Sequence, residues 1–298
     1  GSEMCIRDRV HAIAKNYGLK DEQVFVGVGS DDVLAMSFLT FFNSQKPVLF
    51  PDITYSFYDV WADLFRIPYE RPALDENFHI RKEDYFRENG GIVFPNPNAP
   101  TGKPLPLEDV ERIIAQNPDV IVIVDEAYID FGGTSALPLI DKYDNVLVVQ
   151  TFSKSHSMAG MRIGYAMAQP ELIKYLNDVK YSFNSYTLNS LTIEMGTAAI
   201  LDEAYFKETT QKIIATRERT KEELRALGYR MDDSKSNFLF VTHDTISMEK
   251  LFEDLKKKDI YVRHFSKPER IANYLRITIG TDEEMNTLIT FLKNYKQS

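Results

Sequence analysis

With 298 residues, 44% of them hydrophobic and 27% charged, the chain can bury a large core in the manner of an ordinary globular protein, and its length suggests one large domain plus a smaller one. A net charge of −9 with no basic stripe argues against nucleic-acid or anionic-membrane partners, and no apolar run reaches the length of a membrane span. The single cysteine, Cys5, excludes an internal disulfide framework and a cysteine-based metal cage, so a reducing, cytoplasmic compartment and a metal-free site are expected.

Residues Gly1 to Arg9 lack clear periodicity and run straight into the helical pattern that opens at Val10, so they read as a head foreign to the fold. From there short β-branched runs alternate with amphipathic stretches. Strands are predicted at Val24–Val28, Val48–Phe50, Gly91–Phe94, Val120–Val124, Val146–Gln150 and Met161–Ala168, with helices such as Asp31–Phe42 and Leu107–Gln116 between them. Val120-Ile121-Val122-Ile123-Val124 is apolar throughout, as in a strand covered on both faces. This alternation predicts an α/β domain with a mostly parallel sheet over residues 10–185. Beyond Pro170 long helical patterns cover Glu171–Lys180 and most of Thr187–Leu227. Strands at Asn237–Thr242, Ile260–His264 and Tyr274–Ile279 and helices at Met248–Lys258 and Glu283–Tyr295 then predict a smaller α+β domain over residues 186–298.

Ligands of parallel sheets bind beyond the carboxyl ends of the strands, and there the polar residues concentrate. Gly29-Ser30-Asp31-Asp32 follows the first strand: a glycine turn into a helix N-terminus is an anion site, although Ser30 or Asp31 would read the same way as a plain N-cap. Pro51-Asp52-Ile53-Thr54-Tyr55 follows the second and places an aromatic ring where it can stack on a planar group or join the core. Pro95-Asn96-Pro97-Asn98-Ala99-Pro100-Thr101-Gly102 is a rigid, non-repetitive loop. Asp125-Glu126-Ala127-Tyr128 ends a buried strand in a carboxylate, which costs desolvation unless a cation or a helix start engages it. Finally Thr151-Phe152-Ser153-Lys154 is followed by Arg162. A lysine at a sheet's mouth beside hydroxyls and an arginine suits Schiff-base chemistry with a phosphorylated carbonyl cofactor, while each residue alone also reads as a solvated surface group.

Together Gly29-Ser30-Asp31-Asp32, Asn98-Ala99-Pro100-Thr101-Gly102, Asp125-Glu126-Ala127-Tyr128 and Ser153-Lys154 with Arg162 resemble the fold-type I pyridoxal-phosphate aminotransferases. Asp125-Glu126-Ala127-Tyr128-Ile129-Asp130-Phe131 and Leu275-Arg276-Ile277-Thr278-Ile279-Gly280 resemble more narrowly the histidinol-phosphate aminotransferases, from Val10 to the end. The resemblance implies pyridoxal 5'-phosphate as cofactor and Lys154 as the Schiff-base lysine and proton shuttle. It implies Asp125 as partner of the pyridinium nitrogen, Tyr128 as partner of the phenolic oxygen and Tyr55 stacked on the ring. Ser30, Asp31, Thr151, Ser153 and Arg162 would hold the phosphate, and Arg276 with Arg263 the anionic end of the substrate. A homodimer with a shared active site is implied, acting on an amino donor and a 2-oxo acid.

Two departures stand out. The asparagine that the family places just before Pro-Thr-Gly is Ala99 here, with Asn98 as the adjacent substitute. The family's N-terminal arm, with a tyrosine that reaches the partner's cofactor phosphate, precedes the part matched here, and the polypeptide as given is expected to fold but transaminate poorly. Transamination of L-histidinol phosphate with 2-oxoglutarate is the leading expectation. An aromatic aminotransferase and a decarboxylase of amino-acid phosphates share the same scaffold residues. A cofactor-binding regulatory module is disfavoured, since no basic helix-turn-helix appears.

Overall fold

The computed structural model describes residues 2–295, with side chains from Val10 onward. The expectation of a foreign head over Gly1 to Arg9 lies outside the residues whose side chains are described; the backbone of the first helix, α1, runs Ser2–Tyr17.

Seven strands form the main sheet: β1 (Val24–Gly27), β2 (Val48–Leu49), β3 (Tyr69–Glu70), β4 (Gly91–Pro95), β5 (Val122–Asp125), β6 (Val146–Thr151) and β7 (Gly164–Met167). Their order is β1-β7-β6-β5-β4-β2-β3. All neighbours are parallel except β7, which runs antiparallel to both β1 and β6. The α/β class and the mostly parallel sheet are as the pattern predicts. Side chains of β5 and β6 alternate between two apolar layers. Val122, Val124, Val146 and Val148 face Ile13 of α1 and Val110, Ile113 and Ile114 of α4 (Leu107–Ala115). Ile123, Leu147 and Val149 face Val33, Leu34 and Phe38 of α2 (Ser30–Phe41), Trp61 of α3 (Tyr58–Phe65) and Leu176 of α5 (Pro170–Phe183). Burial on both sides is why these strands read as unbroken apolar runs.

Several boundaries differ from expectation; the strand expected at Ile260–His264, for instance, keeps only Arg263–His264, and three differences bear on the site and the division of the chain. Asp125 is the last residue of β5, paired in register with Pro95 and Val149, so its carboxylate sits on the sheet edge itself. The predicted strand Met161–Ala168 starts only at Gly164, because the 3-10 turn Ala159–Met161 and a left-handed Arg162 (φ 52°) consume its beginning. The helical stretch after Thr187 divides into α6 (Ser190–Leu201) and α7 (Glu203–Ala226). Asp202 ends one and caps the other, accepting the Tyr205 N–H at 3.1 Å. Ile200 of α6 packs in the core of the large sheet, whereas Leu224 of α7 packs in the second unit, so the change of core falls at Asp202, further along than Tyr186.

That second unit is an antiparallel sheet, ordered β8-β10-β9, of β8 (Phe238–Val241), β9 (Arg263–His264) and β10 (Leu275–Thr278). With α7 it is covered by α8 (Met248–Lys256) and α9 (Asp282–Asn294) around Leu239, Leu251, Ile277 and Leu288. The buried Arg217 of α7 joins the units: its Nη1 donates at 2.8 Å to the carbonyls of both Phe131 and Ser236. Lys103 adds an ion pair to Asp232 at 2.6 Å.

Candidate active site

The carboxyl ends of β1, β4, β5 and β6 lie along one edge of the sheet. A cavity of about 160 Å³ opens there, lined among others by Ser30, Asp31, Tyr55, Asp125, Tyr128, Ser153, Lys154 and Arg162. Eight residues singled out in the sequence thus meet in one place. The 3-10 turn after β5 and the loop after β6 bring the Lys154 ammonium to 5.2 Å from the centre of the Tyr128 ring. A bond between Ser155 and Asp130 ties those two segments together at 2.5 Å.

Backbone shape builds the anion end. Gly29 adopts φ 87°, and a Cβ there would stand 2.5 Å from Arg162 Nη2. A Cβ on Gly164 would meet the Gly29 carbonyl carbon at 2.2 Å and the Ser30 nitrogen at 2.3 Å. Two bare backbones therefore press together, and the turn into α2 is held flat against β7. Contrary to the reading of Ser30 or Asp31 as cap, the N-cap is Gly29 and no side chain caps the helix. Its leading N–H groups and the positive end of its dipole are left to a ligand. Arg162 sits beside them, 3.8 Å from Asp31 and bonded to the Ala159 carbonyl at 3.2 Å.

At the other end Asp125 is 5% exposed. Its Oδ2 accepts the Tyr58 hydroxyl at 2.8 Å and its Oδ1 the Ala127 N–H at 3.2 Å. Burial pushes its pKa up to about 6, against the pull of those two bonds; Asp31 adds to the rise and Lys154 opposes it. Tyr55 donates to Asp31 Oδ1 at 2.8 Å and packs near Tyr58 and Trp61. Beneath the site Glu126, also raised by burial, to about 7, accepts from Ser135, Gln150 and the Ala136 N–H. His156 is sandwiched between Phe152 and Phe206, and burial depresses it to about 4, so it stays neutral.

A larger cavity of about 970 Å³ adjoins, sharing Tyr55 and Ala99 and reaching Arg276 and Lys267 on the second unit. Arg276 lies over the Phe238 ring at 5.1 Å; its buried Nε lacks a hydrogen-bond partner, and among the described residues no carboxylate pairs with it. A guanidinium so placed suits an incoming anion.

The remaining expected residues lie outside the small cavity. Asn98 is buried within its loop, donating to the Ile53 carbonyl at 3.0 Å and to Thr101 at 3.1 Å and accepting from Thr54. Ala99, with no polar side chain, is the residue that faces the cavity. Thr151 donates to the Ile163 carbonyl and accepts the Ser153 N–H, so it shapes the lysine loop from below. Arg263 is exposed and packs over Phe265 at 5.7 Å, yet it stands directly opposite Arg276 in the β9–β10 register, which puts both on one face. Tyr58 went unnoticed in the sequence. Its position three residues after Tyr55, on a helix start, is the signal that both rings share a side. Among the described residues no cluster of His, Cys, Asp and Glu could hold a metal ion.

The donor set fits pyridoxal phosphate: a lysine for its carbonyl, a buried carboxylate for a ring nitrogen, an aromatic wall, and an uncapped helix with an arginine for a phosphate. The profile of the family described as aminotransferase class I and II matches residues 7–292. The chain is 54% identical over 284 residues to the histidinol-phosphate aminotransferase of Lactococcus lactis subsp. cremoris (strain SK11), covering 95% of this chain and 80% of that protein. It is 52% identical over 281 residues to that of Clostridium acetobutylicum, covering 94% and 80%. Its fold matches the crystal structure of histidinol-phosphate aminotransferase from Sinorhizobium meliloti in complex with pyridoxal-5'-phosphate with a TM-score of 0.87, at 23% identity over 96% of this chain and 80% of that one. The chain belongs to the aminotransferase class I and II family.

Proposed function

We propose that this chain is a pyridoxal-phosphate-dependent aminotransferase that moves the amino group of L-histidinol phosphate to 2-oxoglutarate, giving imidazole acetol phosphate and L-glutamate in histidine biosynthesis. The observation that carries the reading is the meeting of Lys154 and Asp125 on one small cavity, with the unpaired Arg276 guanidinium in the cavity next to it. The names of relatives above 50% identity support the choice of substrate.

When bound, the cofactor supplies a carbonyl that condenses with amines and a ring that takes up the electron pair released at the substrate α-carbon. Asp125 holds a proton on the ring nitrogen, which keeps the ring electron-poor. Ser30, Asp31, Ser153 and Arg162 bind the phosphate through backbone N–H groups, a hydroxyl and a guanidinium. Tyr55 and Tyr128, which line the cavity, would hold the ring, Tyr55 against its face and Tyr128 by a hydrogen bond to its phenolic oxygen. Lys154, with its amine freed by the incoming substrate, would be the base that takes the proton from the substrate α-carbon and the acid that delivers it to the cofactor's carbonyl carbon. Arg276 binds the carboxylate of glutamate in one half of the exchange and the phosphate of histidinol phosphate in the other, and Arg263 across the strand suits the second charge of a phosphate. In this reading the large, cofactor-binding domain runs from residue 10 to about Asp202, and the small domain follows it. The exposed side chains of Phe183, Leu191, Leu201 and Tyr205 support a homodimer joined along the 181–205 region.

The test is product analysis with added cofactor. Glutamate formed from histidinol phosphate and 2-oxoglutarate supports the proposal. Carbon dioxide release without any oxo acid identifies a lyase instead, and turnover of phenylpyruvate but not of the imidazole phosphate identifies an aromatic aminotransferase.

A further inference from the structure

We infer that Tyr58 is a positioning residue for the ring-nitrogen partner: its buried hydroxyl, 2.8 Å from Asp125 Oδ2, fixes that carboxylate and keeps it ionised. The inference rests on the cofactor reading above. The Tyr58 side chain is fully buried, and Phe38, Phe50, Tyr55 and Trp61 hold its ring at centroid distances of 6.1, 5.8, 5.7 and 6.2 Å. A ring so enclosed presents its hydroxyl in one direction, toward the end of β5.

The bond has work to do because Asp125 is desolvated. A carboxylate in that position loses most of its hydration, and its neighbours supply what replaces water. The groups facing it are the Tyr58 hydroxyl from α3, Tyr55 from the segment before α3, Asp31 from α2, Lys154 from the loop after β6 and the Ala127 N–H from its own turn. Asp31 repels the charge and Lys154 attracts it, but Lys154 is the group the reaction consumes and releases. The Tyr58 and Ala127 bonds are the constant support. The tyrosine can only donate here, since burial and the adjacent carboxylate hold its hydroxyl well above the ordinary tyrosine range. Without it Asp125 takes up a proton at a higher pH, and a neutral acid no longer matches a protonated ring nitrogen.

The lone tryptophan, Trp61, lies beside Tyr58 and Tyr55, so its fluorescence reads cofactor binding at this place. The experiment titrates the full chain with pyridoxal phosphate from pH 6 to 9 for wild type, Tyr58→Phe, Asp125→Asn and the double variant, with thermal unfolding recorded alongside. Tyr58→Phe is expected to bind cofactor roughly tenfold more weakly at pH 7, with the gap closing toward pH 9 as Asp125 ionises again. Added to Asp125→Asn, the same change is expected to alter neither affinity nor its pH dependence. Equal losses at every pH, or losses that add in the double variant, overturn the inference and leave Tyr58 a packing residue. So does a wild-type pH profile in Tyr58→Phe while Asp125→Asn binds weakly. If Asp125→Asn itself binds as wild type does, the cofactor reading is what fails.

Discussion

Replacing Asp125 with asparagine in the cofactor-free chain is expected to stabilise it, and increasingly so as pH rises. Burial lifts the carboxyl from its ordinary 3.8 to about 6. For an acid raised in the folded state there is no penalty below the unfolded value, where both states hold the proton. The penalty is complete above the folded value, where both states are ionised. A gap of about two units corresponds to about 3 kcal/mol. Unfolded aspartate is already largely ionised at pH 5, so only about half of that develops between pH 5 and 8. Asparagine keeps the shape and can still accept the Tyr58 hydroxyl; it gives up the bond from the Ala127 N–H, a loss of about 1 kcal/mol that does not vary with pH, but it carries no charge to desolvate. Urea unfolding followed by Trp61 fluorescence at pH 5, 6.5 and 8 measures the difference. The stability of Asp125→Asn relative to wild type should grow by about 1–2 kcal/mol across that range. Glu126, likewise raised by burial, is common to both proteins and cancels. Saturating cofactor should reverse the order at pH 8, because only the ionised aspartate has a counter-charge to meet. A difference that does not change with pH, or a wild type that is the more stable at pH 8 without cofactor, refutes the reasoning.

Lys154→Ala should lose the borohydride-reducible absorption that wild type shows with added cofactor, and all transamination with it, while keeping its fold by circular dichroism. Gly164→Ala should separate β7 from the Gly29-Ser30 turn, because a Cβ there lies 2.2 Å from backbone; overpacking of this kind costs about 1–3 kcal/mol, and cofactor titration should show affinity falling with stability. Arg217→Met leaves the Phe131 and Ser236 carbonyls unmet, and urea unfolding should show a loss of about 3 kcal/mol. Arg276→Gln should raise KM for both the phosphorylated donor and 2-oxoglutarate at least tenfold with an unchanged melting temperature, because its guanidinium is exempt from any carboxylate pairing among the described residues.

Much of the site was legible along the chain because its chemistry is carried by strand ends, and strand ends are marked by where apolar runs stop. The apolar run Val120–Val124 announces a doubly covered strand, and Asp125 at its close is conspicuous for that reason alone. Lys154, Arg162 and Gly29 are visible in the same way, as polar or glycine punctuation after apolar segments. What depends on contacts between distant segments was not legible. Nothing local says that Tyr58 reaches Asp125 across 67 positions, or that the Asn98 amide is spent on Ile53, Thr54 and Thr101 while Ala99 faces the cavity. The break at Asp202 was hidden too, since periodicity continues through it and only packing sends α6 to one core and α7 to the other. By itself, then, the sequence determined the α/β alternation, the sheet edge where the polar strand ends gather, and which residue types stand there, because those follow from local pattern and chain direction. The tertiary structure alone decided which side chains touch and which charges are desolvated. Hydrogen-bond partners and burial are properties of the assembled neighbours, and they are what turn a plain aspartate at a strand end into a buried carboxylate bonded to a tyrosine from the start of α3.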